Sequence, residues 1–206
     1  MSGEEIGIAA RPRRYAGRAD RRRRHRRGRR RGHRRRSAFP GEEPTSHRLG
    51  PACGPTIITP GPDRALWFTE YRAHRIGRIT TDGVIDEFDV PTPGCGPFGI
   101  AAGPDGALWF TETAADRIGR ITVDGHITEF PLRPHAVTVD GDGTVWFTEW
   151  GGNRVGTTAP DGSLTVHGLP TPHSEPHGIA PGPGGALWTA LEIGALARIA
   201  PADGAP

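Results

Sequence analysis

The chain has no lysine, a single methionine and only two cysteines in its 206 residues. With Cys53 and Cys95 as its sole thiols, it carries no disulfide framework and no Cys-x-x-Cys pair for zinc. The two stand 42 residues apart, each just before Gly-Pro, and read as one loop residue copied with a repeat. No run approaches the roughly 18–20 apolar residues of a membrane-spanning helix, so no membrane partner is expected. The early arginine block has no apolar core after it, which argues against a secretory leader and for a cytoplasmic protein. Helical periodicity is missing too: apolar residues nowhere hold an i, i+3, i+4, i+7 stripe over three turns. No glycine-rich phosphate loop precedes a helix, and no serine sits in a nucleophile elbow.

Glycine (31) and proline (21) are abundant instead, about a quarter of the chain, against 34% hydrophobic residues. That mix belongs either to a disordered chain or to an all-β fold of many short strands joined by tight turns. The net charge of +3 hides two unlike parts. Residues 1–36 hold sixteen arginines against Glu4, Glu5 and Asp20, a balance of +13, whereas residues 37–206 hold ten against twenty acids, or −10. Like charges this dense cannot form a core, so residues 1–50 are expected to be a disordered, low-complexity segment. Such an arm gains on anionic surfaces by counterion release. Tyr15 is the lone aromatic of residues 1–36, however, and no nucleic-acid module follows, so nucleic acid is not the expected partner. An Arg/Gly/His-rich stretch without lysine is also what GC-rich DNA yields in a wrong frame, and a mis-assigned start is the other expectation for this segment.

Residues 51–206 form the second expected domain, and there a repeat takes over. Trp67, Trp109, Trp146 and Trp188 recur at intervals of 42, 37 and 42. The first three are followed by Phe-Thr-Glu, at Phe68 to Glu70, Phe110 to Glu112 and Phe147 to Glu149. Arg-Ile-Gly-Arg-Ile comes next in the first two units, and Asp-Gly turns follow at Asp82, Asp124 and Asp161. Asp-Gly between short β-rich runs marks hairpins. Four short strands per unit of about forty residues predict β-propeller blades, about four of them in a partial ring. Each tryptophan is expected to be a wedge between neighbouring blades. Glu70, Glu112 and Glu149, being periodic, are expected to pair with the equally periodic Arg75, Arg117 and Arg154. The last unit lacks an outer strand after Ile199, and the arginine block at the other terminus is not expected to supply it.

Function is sought where the repeat breaks. The prolines Pro55, Pro97, Pro134 and Pro176 are followed by Thr56, Phe98, His135 and His177, and the last is preceded by Glu175 where the first two units have Gly54 and Gly96. Proline biases the preceding residue towards extended backbone, on which Glu175 and His177 would point the same way. In the fourth unit Leu191 stands where glutamate belongs, and the acid moves on to Glu192; a one-residue shift in a strand turns a side chain to the other face. Two carboxylates and two imidazoles are therefore expected to converge at one end of the blades. Carboxylates are hard oxygen ligands suited to Mg²⁺, and imidazole near neutral pH takes a proton. His74, His126, His167 and His173 read as surface residues.

These residues resemble the streptogramin lyases, the virginiamycin B lyase family. The resemblance rests on Gly-Pro-Asp-Gly-Ala-Leu-Trp-Phe-Thr-Glu at 103–112, on Glu175-Pro176-His177-Gly178, and on Leu187 to Glu192. It implies an all-β propeller, seven-bladed and monomeric in the family, that linearises cyclic depsipeptide lactones of the streptogramin B type and so confers antibiotic resistance. The implied reaction is a Mg²⁺-dependent carbon–oxygen lyase elimination. It further implies His177 as proton acceptor, Glu175 and Glu192 as Mg²⁺ ligands, and His135 as a substrate-binding residue. The residues alone leave two other readings open, a non-catalytic propeller scaffold and a lactone-hydrolysing propeller.

Overall fold

A computed structural model describes residues 6–9 and 46–200, except 160 and 162. The chain divides into two compact units, Met1–Ala10 with Leu49–Pro206, and Arg11–Arg48. The second unit lies outside the described residues except for 46–48, and with it the arginine-rich arm and the mis-assigned start expected there. The first unit holds all the sheets.

A short strand, β1 (Ile6–Ala9), comes first. One sheet then follows as β2 (Pro55–Pro60), β3 (Leu66–Glu70), β4 (Arg75–Ile79) and β5 (Ile85–Asp89). The second sheet is β6 (Pro97–Ala102), β7 (Ala107–Glu112), β8 (Arg117–Thr122) and β9 (Ile127–Pro131). The third is β10 (Ala136–Val139), β11 (Val145–Glu149), β12 (Arg154–Thr158) and β13 (Leu164–Gly168). The fourth contains β14 (Pro176–Pro181), β15 (Leu187–Leu191) and β16 (Ala195–Ile199). Every pairing is antiparallel, and the first three sheets are meanders of four consecutive strands, the arrangement of a propeller blade. Among the described residues no helix is long and apolar enough to cross a membrane.

The fourth blade is completed in a way the sequence reading did not allow. β1 pairs with β16 in the register Ile6↔Ile199 to Ala9↔Leu196, so the N-terminal segment does supply the outer strand. The reason lies in composition: Ile6-Gly7-Ile8-Ala9 is uncharged and ends before the first arginine, Arg11.

The first three repeat tryptophans are wedges, as expected, whereas Trp188 of the fourth blade is only partly buried. Trp67 packs with Ile76 of its own blade and with Ile100, Leu108 and Phe110 of the next. Trp109 lies with Val145 and Phe147 of the third blade, and Trp146 with Ile179, Leu187 and Leu191 of the fourth. Each contact buries a face that no single blade could bury alone. In the first three blades the phenylalanine after the tryptophan covers a cross-strand glycine: Phe68 on Gly77, Phe110 on Gly119, Phe147 on Gly156. A methyl group on Gly77 would sit 2.2 Å from the Phe68 ring. In the fourth blade the same pair is Thr189 opposite Ala197, both buried, a smaller side chain matched by a larger partner that keeps the layer filled.

The periodic Glu–Arg pairs form only once. Arg154 reaches Glu149 at 2.6 Å, but Arg75 turns to Asp89 at 2.7 Å and Glu87 at 3.3 Å. Glu70 and Glu112 are left fully buried, and neither oxygen of either has a hydrogen-bond partner among the described residues. Burial and the neighbouring acid account for this. Glu87 on β5 and Glu129 on β9 lie beside them, and the Glu112 carboxyl is pushed up to about 8, first by desolvation and then by Glu129.

Candidate active site

The inner strand begins at its proline in the first, second and fourth blades and two residues after Pro134 in the third. In the first, second and fourth blades the register slips immediately afterwards, between Pro55 and Ile58, Pro97 and Ile100, and Pro176 and Ile179. The middle residue of Phe-Thr-Glu fixes this irregular stretch. Thr69 Oγ1 donates to the Phe98 carbonyl at 2.8 Å, Thr111 to that of His135 at 3.4 Å, and Thr148 to that of His177 at 2.7 Å. Thr148 Oγ1 also accepts the Ala136 N–H at 3.1 Å. All three threonines are fully buried. Each blade thereby holds the site residue of its successor. The sequence reading gave these threonines no role; their recurrence at a buried position was the available signal, because buried hydroxyls keep partners.

Glu175 is not extended as the proline rule predicts. Its φ is +49°, in the left-handed region, beside +60° at Gly54 and +59° at Gly96 in the same place of the first two blades. Tertiary ties override the local bias. Asn153 Oδ1 accepts from Ser174 N at 2.8 Å, from Ser174 Oγ at 2.6 Å and from Glu175 N at 3.3 Å. Glu192 N–H closes the other side, donating to the carbonyls of Ser174 at 3.0 Å and Glu175 at 3.2 Å. A non-glycine residue held at positive φ stores about 1–3 kcal/mol and commonly marks a functional position.

Glu175, Glu192, His177 and His135, drawn from two blades, are brought together. Leu191 fills the buried glutamate place opposite Pro176, and Glu192 emerges just beyond it with its side chain 53% exposed. Its Oε2 accepts from Trp150 Nε1 at 3.0 Å and lies 3.3 Å from His177 Nε2. The other nitrogen of His177, Nδ1, is 3.2 Å from His135 Nε2. Glu192 is held below the usual glutamate range by the Trp150 N–H and by contacts with Glu175 and His177, and Glu175 is raised, first by its hydrogen bond to Glu192. His135 is lowered, chiefly by burial and secondly by the charge of His177. Trp150 was not foreseen; it extends Phe-Thr-Glu where the earlier blades have Tyr71 and Thr113.

Two carboxyl groups in contact hold either a shared proton or a cation. An all-oxygen pair with open positions suits a hard ion such as Mg²⁺, which keeps several waters and takes one or two carboxylates. The residues present fit that group. Next to them a cleft of about 280 Å³ is lined by Thr56, Tyr71, Phe98, Thr113 and His135. Tyr71 meets Phe98 edge-on at 6.5 Å, and Phe98 lies 6.3 Å from the His135 ring. The site thus joins acid–base groups to an aromatic-walled recess.

The model of the virginiamycin B lyase family matches residues 32–133 and 132–199. No curated protein matches the sequence. Among solved structures, a streptogramin B lyase is 41% identical at a TM-score of 0.70, over 75% of this chain and 53% of its own. The selenomethionine-substituted virginiamycin B lyase from Staphylococcus aureus is 42% identical at 0.70, over 75% of this chain and 55% of its own. A catalytically inactive histidine-to-alanine variant of the Staphylococcus aureus lyase, solved with quinupristin, is 32% identical at 0.65, over 74% and 68%. The chain spans about half the length of the first two. Its four blades are a partial propeller of the streptogramin-lyase type, and the chain belongs to the virginiamycin B lyase family.

Proposed function

We propose that this chain is a streptogramin B lyase that opens cyclic depsipeptide lactones by elimination, and that it thereby gives resistance to such antibiotics. The observation that carries this reading is the convergence of Glu175, Glu192, His177 and His135 beside an aromatic cleft. It is supported by relatives that are lyases, one of them solved with quinupristin.

Glu175 and Glu192 would hold Mg²⁺, which when bound offsets negative charge developing on a substrate carbonyl oxygen. The chain's own residues supply the remainder. With its proton on Nε2, His177 donates to the Glu192 carboxylate, and its Nδ1 lone pair, 3.2 Å from His135 Nε2, acts as base once substrate displaces that contact. His177 Nδ1 takes the proton from the carbon adjacent to the one that bears the ester oxygen, on the alcohol side of the lactone. The electron pair of that C–H bond forms the carbon–carbon double bond, and the ester C–O bond breaks to release a carboxylate. No water is consumed. His135 lines the cleft beside His177 and contacts the bound ring. Because burial holds it neutral, it does not oppose the charge that His177 gains.

The test is mass spectrometry of a streptogramin B antibiotic incubated with the purified chain and Mg²⁺. Ring opening with unchanged mass is expected, and chelation should stop it. A product heavier by one water would replace the lyase reading with hydrolysis; an intact ring would overturn the assignment for this chain.

A further inference from the structure

Cys53, Glu70 and Glu87 bring a sulfur and two carboxylate oxygens within 4.8 Å of one another in the first blade, whereas the four residues above belong to the third and fourth. Glu70 closes β3, Glu87 reaches in from β5, and Cys53 lies in the segment entering β2. Cys53 is 5% exposed and Glu70 fully buried, with no N–H or hydroxyl donor on either Glu70 oxygen and the Glu87 carboxyl in contact beside them. A buried carboxylate without donors is costly, and such groups are ordinarily paired or bound to a metal.

Comparison of the blades shows how this cost is otherwise met. In the third blade Arg154 neutralises Glu149 at 2.6 Å; there the place of Glu87 is Val166 and the cysteine loop is shortened. In the fourth, Leu191 replaces the buried acid and Ser174 the cysteine. The first blade keeps the acid together with a thiol and a second acid, while Arg75 is turned outward to Asp89 and Glu87. Two carboxylates and a thiolate, partly balanced by Arg75, match the charge of a divalent ion.

We infer that Cys53, Glu70 and Glu87 form a binding site for a divalent ion of the zinc type, which ties the segment before β2 to the outer strand β5. One sulfur and two oxygens leave a fourth tetrahedral position for water, and a borderline-soft ion accepts that mixed set. The Cys53 thiol donates to the Gly50 carbonyl at 2.5 Å, so binding as a thiolate releases a proton. The second blade repeats the residue types as Cys95, Glu112 and Glu129 without the same convergence among the described residues. There Glu129 Oε1 accepts the Thr92 N–H at 3.1 Å, and burial pushes the Cys95 thiol up to about 12. Among the described residues, one site with a sulfur ligand follows.

Cobalt(II) reads this site separately from the Glu175–Glu192 pair, which offers only oxygen. Titration of the full chain under a non-chelating reductant should give a thiolate-to-cobalt charge-transfer band that saturates at one equivalent and is displaced by Zn²⁺. The band should be lost in Cys53→Ser and in Glu87→Gln, the latter a change at a half-exposed strand position that leaves the fold intact. It should persist in Cys95→Ser. Absence of the band in the parent chain, its survival in Cys53→Ser, or its loss only in Cys95→Ser would overturn the inference in favour of a proton shared between Glu70 and Glu87.

Discussion

His177 and His135 meet edge to face, their ring centroids 4.8 Å apart and their planes at 86°. At this distance the two rings cannot both carry a proton cheaply, and burial already lowers His135. His135, lowered by burial and by the charge of His177, should therefore stay neutral to a pH below the ordinary histidine range, and turnover is expected to fall where it gains its proton. His177→Ala should reduce kcat by about 10²–10⁴-fold, the usual contribution of a positioned base, with binding retained. His135→Ala should act mainly on KM. Initial rates over a pH series check all three, and equal loss in both variants through kcat would contradict the division of roles.

Glu175 occupies a conformation that two sister blades give to glycine. Glu175→Gly should relieve the stored strain and stabilise the fold by about 1 kcal/mol after the entropy cost of glycine, raising Tm by about 2–4 °C. The same change should abolish Mg²⁺-dependent turnover. Thermal melts and the mass assay, run side by side, read the two effects. A variant that is both more stable and fully active would remove Glu175 from the metal role.

Periodicity made the blades legible, and its violations singled out Glu175, His177, Glu192 and His135. Tryptophan, glycine and the Asp-Gly turns each have one structural reason to recur, so their spacing translates directly into wedges and hairpins. The readings that failed depended on which neighbour wins. Proline bias lost at Glu175 because Asn153 and Glu192 hold the loop from both sides. The Glu–Arg pairing lost in two blades because a second acid from the outer strand stands beside the first. Thr189 takes the place of a phenylalanine and Ala197 that of the facing glycine, a compensation that only the strand register reveals.

Thr148 positions His177 without touching substrate, and a matched control exists. Thr148→Val removes the acceptor of the Ala136 N–H and the donor to the His177 carbonyl, a loss of about 1–3 kcal/mol. Thr69→Val breaks the equivalent bond to Phe98 and should destabilise by a similar amount. Only Thr148→Val should lower kcat, by about tenfold, with KM nearly unchanged, since a barrier increase of about 1.4 kcal/mol is tenfold in rate. Denaturation curves and kinetics on both variants decide it. Equal kinetic effects would mean that the threonines serve stability alone.

The Glu112 carboxyl makes stability depend on pH in an unusual direction. It is fully buried beside Glu129, only weakly offset by Arg117, and raised from 4.5 to about 8. The folded chain therefore binds this proton where the unfolded chain has released it. Its contribution is complete below about pH 4.5 and is lost as pH rises through about 8. Within that window the slope approaches about 1.4 kcal/mol per pH unit. Glu112→Gln keeps the shape, cannot ionise, and can donate to Glu129 across the same gap. Chemical denaturation at a series of pH values should show the parent weakening towards alkaline pH and the variant following a flatter line, more stable than the parent at pH 8. The residual slope belongs to Glu70, raised in the same direction by burial and by Glu87. Parallel curves for parent and variant would place the proton elsewhere and leave the unpaired carboxyl of the second blade without a role in folding.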